Sequence, residues 1–236
     1  MSNTTTAGAV DERNRMRALI ASGTGRYADP WHPFTRTSPR IADVLSDSGF
    51  DVTIDDDVDR AMRSLSEVDL LVVNAGDPWR TEQAGAAPSE ESVHGLAAAL
   101  ERGIGVLAFH CAVASLRDYP EWAAAVGAIW LPGLSHHPPF GQMEVAGTVM
   151  PDGGRMRDFT LDDERYCRLQ RIGSSQIVAT HAGDGSAEPA AWVRDVGPSR
   201  IAVDVLGHDE RSYDSAGHRS LIRQLSRWAA RHVQES

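Results

Sequence analysis

The sequence predicts an α/β fold, a doubly wound, mostly parallel sheet with helices on both faces. Three observations carry this. Short apolar runs alternate with amphipathic stretches through the first half of the chain. The run 104–109 is apolar, as expected of a strand covered on both faces, and it stops at His110 before a string of small residues. Turn chemistry separates the runs, notably Ser22-Gly23-Thr24-Gly25 and Asn74-Ala75-Gly76-Asp77.

The elements follow in order. Residues 17–21 form a first strand, ending in the loop 22–25 and then Asp29-Pro30-Trp31-His32-Pro33. Ile41, Val44 and Leu45 have helical spacing, with Gly49 as the stop. A second strand covers 50–54, Met62 and Leu65 mark a short helix, and a third strand covers 68–73. Ser89 opens a helix through Val93, Leu96 and Leu100 that closes at Gly103, and 104–109 is the fourth strand. A helical stretch is expected after His110. The second half is less regular: a helix over 122–129, a Pro/Gly/His loop over 131–141, strands at 144–150, 176–180, 190–195 and 200–205, and a last helix over 217–232. Asp162 reads as the N-cap of a helical turn carrying Glu164 and Tyr166. Residues 1–15 read as a disordered leader and 16–236 as one domain, with no linker and no internal repeat.

Composition excludes several functions. At 42% hydrophobic and 24% charged, the 236 residues suit an ordinary globular protein. A net charge of −10 argues against nucleic acid as a partner, since phosphate binding needs a basic surface. All 23 basic residues are arginine, which removes Schiff-base chemistry and the P-loop lysine. No run of 18 apolar residues is available to span a membrane. Two cysteines, Cys111 and Cys167, make no disulfide framework, which suits the reducing cytoplasm. The acidic surface and six tryptophans permit a homodimer without demanding one.

In an open α/β sheet, ligands sit in the crevice at the carboxyl ends of the strands. Polar groups gather at those ends: His32 after strand one, Gly76, Asp77 and Trp79 after strand three, His110 after strand four, and His208 after a late strand. The turn after strand four should expose His110 or Cys111. His136 and His137 are adjacent, so at most one points inward; His137 is taken. Asp163 and Glu164 diverge in the same way, and one of them supplies a carboxylate. His94, His218 and His232 fall within helices and are assigned ordinary structural roles, while His181 is open to either reading. Trp31, Trp79 and Trp192 are either packing residues or faces on which a sugar stacks. His32, His110, His137, Glu164 and His208 have the donor types that suit a divalent metal such as zinc, though their spacing does not diagnose one. A Cys111 nucleophile needs a lowered pKa, a base and an oxyanion donor. An inert buried thiol is the favoured reading.

Together these pieces resemble the trehalose-utilisation (ThuA-like) family, a branch of the class I glutamine-amidotransferase-like superfamily with a flavodoxin-like sheet. The resemblance spans 17–230. It rests on the order of Gly-Phe-Asp-Val at 49–52, the run 68–73, Phe-His-Cys-Ala at 109–112, His137-Pro138, Asp-Asp-Glu-Arg-Tyr at 162–166, Pro-Ala-Ala-Trp-Val-Arg at 189–194, Ser199-Arg200-Ile201 and Leu-Gly-His at 206–208. Against the amidotransferase elbow Gly-x-Cys-x-Gly, His110 takes the nucleophile's place and Cys111 falls one late. Asn74 to Asp77 matches the loop supplying oxyanion amides. The resemblance implies a sheet that has lost its cysteine triad and acts in catabolism of trehalose, related disaccharides or keto-sugars. The expected function is a sugar-processing hydrolase or lyase with His110, Asp163, Glu164 and His208 catalytic, and His32, Gly76, Asp77, Trp79, His137 and Trp192 binding a small sugar. The alternatives are a Cys111-dependent amidotransferase-like thiol hydrolase and a non-catalytic sugar-binding protein.

Overall fold

A computed structural model describes residues 15–80 and 87–231. The leader assigned to 1–15 therefore falls outside the described residues, except for Arg15, and so does His232. The strands are β1 (Arg17–Ser22), β2 (Asp51–Asp55), β3 (Leu70–Asn74), β4 (Gly105–Phe109), β5 (Ala128–Ile129), β6 (Gly141–Gly147), β7 (Phe159–Asp163), β8 (Gln170–Arg171), β9 (Gln176–Ala182), β10 (Ala187–Val196) and β11 (Ser199–Asp204). The helices are α1 (Phe34–Ser46), α2 (Val58–Arg63), α3 (Glu90–Arg102), α4 (Trp122–Val126) and α5 (Ala216–Ala230).

Nine strands form one sheet in the order β2-β1-β3-β4-β11-β10-β9-β6-β7. Pairing is parallel from β2 across to β11 and antiparallel from β11 outward, so only β10 and β6 run against the rest. The parallel half reads 2-1-3-4 and then the last strand, the flavodoxin-like arrangement of an α/β fold.

Alternation along the strands sorts side chains to two faces. Leu19, Leu71, Val106 and Val203 pack under α2, α3 and α4 against Met62, Leu96 and Trp122. Ile20, Val72, Leu107 and Ala202 pack against Ile41 and Leu45 of α1 and Leu221 and Leu225 of α5. With helices on both sides, β3 and β4 are buried at every position, which is why they read as unbroken apolar runs.

The antiparallel extension explains how a distant strand reaches the rim. Met143, Val145 and Leu161 join the same core as α5. The extension therefore curls over that helix, not out into solvent. Register slips in β10 at Pro189/Ala191 and Ala191/Trp192, and bulges of this kind bend and twist a strand. The end of β7 thus arrives at the rim where β4 and β11 also end.

Three sequence expectations are corrected here. After β4 the chain makes a single 3-10 turn, His110–Val113, and no longer helix. Leu116 enters the left-handed region at φ +48 and stops any continuation. Asp162 lies in a strand and caps no helix, and the burial of β7 alternates with period two. The helix expected over 122–129 ends at Val126, and its tail becomes β5.

Candidate metal centre

Four side chains from four loops converge at the rim. His32 comes from the loop between β1 and α1, His110 from the turn after β4, Glu164 from the end of β7, and His208 from the loop after β11. Each offers one ligand atom, and these atoms all lie within 4.8 Å of one another. Ring centroids stand 5.0 Å apart for His32 and His110, 4.9 Å for His32 and His208, and 5.5 Å for His110 and His208. Glu164 Oε2 lies 3.6 Å from His110 Nε2 and 3.2 Å from His208 Nδ1.

Two imidazoles are oriented from behind. His110 Nδ1 bonds the Val205 carbonyl at 2.9 Å, and a carbonyl only accepts, so the proton is on Nδ1 and the Nε2 lone pair faces the cluster. His32 Nδ1 bonds the Asp29 carboxylate at 2.7 Å, and its Nε2 is likewise turned inward. Asp29 is itself fixed by accepting the backbone N–H groups of Trp31 and His32. His32 Nε2, His110 Nε2 and His208 Nδ1 are all buried and none makes a well-aligned hydrogen bond, the last two lying beside Glu164 Oε2 as ion-pair neighbours. Buried polar nitrogens are ordinarily satisfied, and three such nitrogens around one carboxylate make a donor set that suits a transition metal. Outer partners such as Asp29 and Val205 O are what orient metal-binding imidazoles.

The electrostatics agree with a shared site. Burial would raise the Glu164 carboxyl, but His110 and His208 outweigh it and hold it well below the usual carboxylate range. Burial would lower His208, but Glu164 reverses this and holds it above the ordinary imidazole value. For His32 burial wins, helped by the neighbouring imidazoles, and its value is lowered despite Asp29.

The hollow above the cluster has a volume of about 360 Å³, within the range of small-molecule pockets. Asp77, Trp31, Arg80, Trp130, His137 and Tyr166 line it with His32, Glu164 and His208, while His110 lies beneath its floor. A larger hollow of about 950 Å³ lies on the outer face of β6, β7 and β9, but it contains none of the clustered groups.

Several sequence expectations need correction. His110 is not exposed: it is 1% accessible, at φ +43, beneath the Tyr166 ring at 4.2 Å. A side chain held at positive φ stores backbone strain, a recurrent mark of functional positions. Cys111 lies in the 3-10 turn His110–Val113 and is not exposed. It is buried, its thiol donates to the Ala75 carbonyl at 3.3 Å, and burial pushes that thiol well above its ordinary value. Trp192 is 0% exposed in the core, its indole N–H donating to the Val126 carbonyl, and it does not line the hollow. Trp79 is 60% exposed and lines a separate small hollow beside Arg117. Asp163 turns away from the hollow, while Glu164 turns into it.

Of the two adjacent histidines, His137 lines the hollow with Nδ1 3.4 Å from Glu164 Oε1, and His136 pairs with Asp184 at 2.8 Å outside it. Gly76 acts by close approach. A Cβ there would come within 2.8 Å of Asp29 Oδ2 and of the Tyr27 carbonyl, so only glycine leaves room for the carboxylate that holds His32. Asp77 accepts from Arg117 Nε at 2.9 Å. His181 spends both ring nitrogens on the Tyr166 and Ala182 carbonyls. Sequence reasoning missed Asp29, although the Asp-Pro-x-His spacing at 29–32 is a turn that returns a carboxylate to the histidine.

Fold and rim together define a doubly wound α/β protein with a three-histidine, one-carboxylate cluster at the carboxyl ends of its strands. The family described as ThuA, trehalose utilisation, matches residues 17–229, and the chain belongs to that family. A protein described as ThuA-like from Parabacteroides merdae is similar in structure at TM-score 0.75 and 19% identity, over 94% of this chain and 93% of that one. A second, from Bacteroides uniformis, gives 0.69 and 13%, over 96% and 95%. A cytoplasmic protein from Salmonella typhimurium, STM1381, gives 0.57 and 10%, over 89% and 100%. No curated protein sequence matches the chain.

Proposed function

We propose that this chain is a metal-dependent enzyme acting on a small sugar or sugar derivative, with His32, His110, His208 and Glu164 holding the ion. The observation that carries this reading is the trio of buried imidazole nitrogens, none with a well-aligned hydrogen bond, around one carboxylate. A bound divalent ion would supply Lewis-acid polarisation of a substrate oxygen. The chain's own groups do the rest. Asp29 and the Val205 carbonyl fix the two imidazoles whose lone pairs face inward. His137, beside Glu164 Oε1 and half open to solvent, is placed to exchange a proton with substrate. Trp31, 53% exposed at the hollow's wall, offers a face for a sugar ring. Burial and nearby carboxylates keep Tyr166 protonated, so it acts as a wall and a donor, not a base.

The family's description, trehalose utilisation, supports a carbohydrate substrate. Both cysteines are free thiols, in keeping with a cytoplasmic setting. Among the described residues no helix is long and apolar enough to cross a membrane. A protonated Cys111 donating to a carbonyl favours the metal reading over the thiol one.

The test is elemental analysis of protein purified without chelator, followed by zinc titration and turnover of a disaccharide and keto-sugar panel with and without chelation. About one ion per chain with chelator-sensitive turnover is expected. Metal-free protein that turns over sugars reduces the site to acid–base work. Tight sugar binding with no turnover under any condition makes the chain a binding protein.

A further inference from the structure

Asp163 is a buried carboxylate that the proposed chemistry does not use. Its four hydrogen bonds explain why. Oδ2 accepts from Gly207 N at 2.7 Å and Ser212 Oγ at 2.5 Å. Oδ1 accepts from His208 N at 3.1 Å and from Glu164 N at 2.8 Å. A carboxylate has about four acceptor positions, so none is left for substrate. Two of the four donors are the backbone N–H groups of cluster residues: Glu164, which follows the edge strand β7, and His208, in the loop after the central strand β11.

The network continues inward. Ser212 Oγ lies 3.0 Å from His218 Nδ1, and His218 Nε2 lies 3.0 Å from Asp204 Oδ2. Asp204 ends β11, pairs in register with Phe109 next to His110, and accepts Leu206 N at 3.1 Å. The following residue, Val205, supplies the carbonyl that orients His110. Ser212, His218 and Asp204 are fully buried. The Ser212–His218–Asp204 row has the residue types of a hydrolytic triad, yet no part of it reaches solvent or the hollow. Gly207, at φ +107, lets the backbone turn so that two successive amides face Asp163.

We infer that Asp163, braced by Ser212, His218 and Asp204, is the positioning residue of this cluster: it locks Glu164 at the end of β7 to His208 in the loop after β11 and holds both at ligating distance from His110. This rests on the metal reading above, and the experiment separates the two.

Asp163→Asn keeps the shape but puts an amide N–H against donors, and Ser212→Ala removes one bond and leaves three. Zinc affinity is measured by competition titration at a temperature where each variant is fully folded by circular dichroism. Asp162→Asn, an exposed neighbour on the same strand, is the control. The expected loss for Asp163→Asn is about 10–100-fold, the usual effect of outer partners of metal ligands. Ser212→Ala should lose less, and Asp162→Asn nothing. Lowered melting temperature with unchanged zinc affinity would show that Asp163 only supports the fold, and would overturn the inference. Crystal structures of metal-free Ser212→Ala and Asp163→Asn supply the second arm. If wild-type protein binds no zinc, the metal reading fails, but displacement of Glu164 or His208 from His110 in these variants still upholds the positioning role. Unmoved side chains would refute it.

Discussion

Two groups of buried histidine and carboxylate lie close together in this protein, and they are built on opposite terms. Around His218 every polar atom of the ring has a protein partner: Nε2 meets Asp204, and Nδ1 meets Ser212. Around His110, three imidazole nitrogens converge without a well-aligned hydrogen bond, two of them sharing one carboxylate oxygen of Glu164. The same residue types therefore make structure in one place and a candidate site in the other. Hydrogen bonds withheld, not residue identity, mark the site, because a buried nitrogen without one costs stability that folding alone gives no reason to accept.

The sharpest way to break this contrast is Asp204→Asn. Removing one member of a buried ion pair is expected to cost about 3–5 kcal/mol in denaturant unfolding. The pair also has a pH signature. Burial would lower His218, but Asp204 outweighs it and the folded-state value is raised. The stability from this pair is thus fully present below about pH 6.5, the ordinary imidazole value, and is lost as pH rises through the raised folded-state value. His218→Gln should remove that pH slope, and an unchanged slope would show that the ring is not charged in the folded protein.

His110→Ala should do the reverse. It removes a ligand and one hydrogen bond, so zinc affinity should fall by more than the ~100-fold loss typical of an outer partner. Metal-free stability should change by only about 1 kcal/mol for the lost bond to Val205. A large collapse of metal-free stability would place His110 with His218 among the structural histidines.

Gly76→Ala probes how the site is held from outside. The added Cβ must displace Asp29 or the Tyr27 backbone, at an expected cost of about 1–3 kcal/mol in unfolding experiments. Weakened zinc binding should accompany it through His32. Smallest of all is Cys111→Ser, expected to alter stability by about 1 kcal/mol or less and to leave metal binding and turnover intact. Loss of turnover in that variant, with stoichiometric iodoacetamide labelling of the native chain, would restore the thiol mechanism.

Much of the parallel half was legible. β1, β3 and β4 are apolar runs of strand length ended by turn residues, and α3 carries its cap at Ser89, which accepts from Ser92 N. The positions of His32, His110 and His208 at strand ends followed from that layout. β7 was harder: its two aspartates and the following glutamate looked like a helix start, although Leu161 and Asp163 alternate with exposed neighbours. Trp192 was misjudged because an indole fills a core as readily as it lines a pocket. Asp163 and Glu164 could not be told apart, since the choice of which one enters the hollow depends on loops distant in sequence. The curl that brings β7 back to β4 depends on bulges and long-range packing, and no local pattern encodes it.

That curl also sets when the hollow can exist. One wall comes from the first strands to be synthesised and the other from the far edge of the sheet, joined only after β9, β10 and β11 are in place. A nascent or truncated polypeptide ending after β4 would own His32 and His110 but neither Glu164 nor His208. Competence to capture an ion is therefore a property of the finished fold, acquired at its last closure.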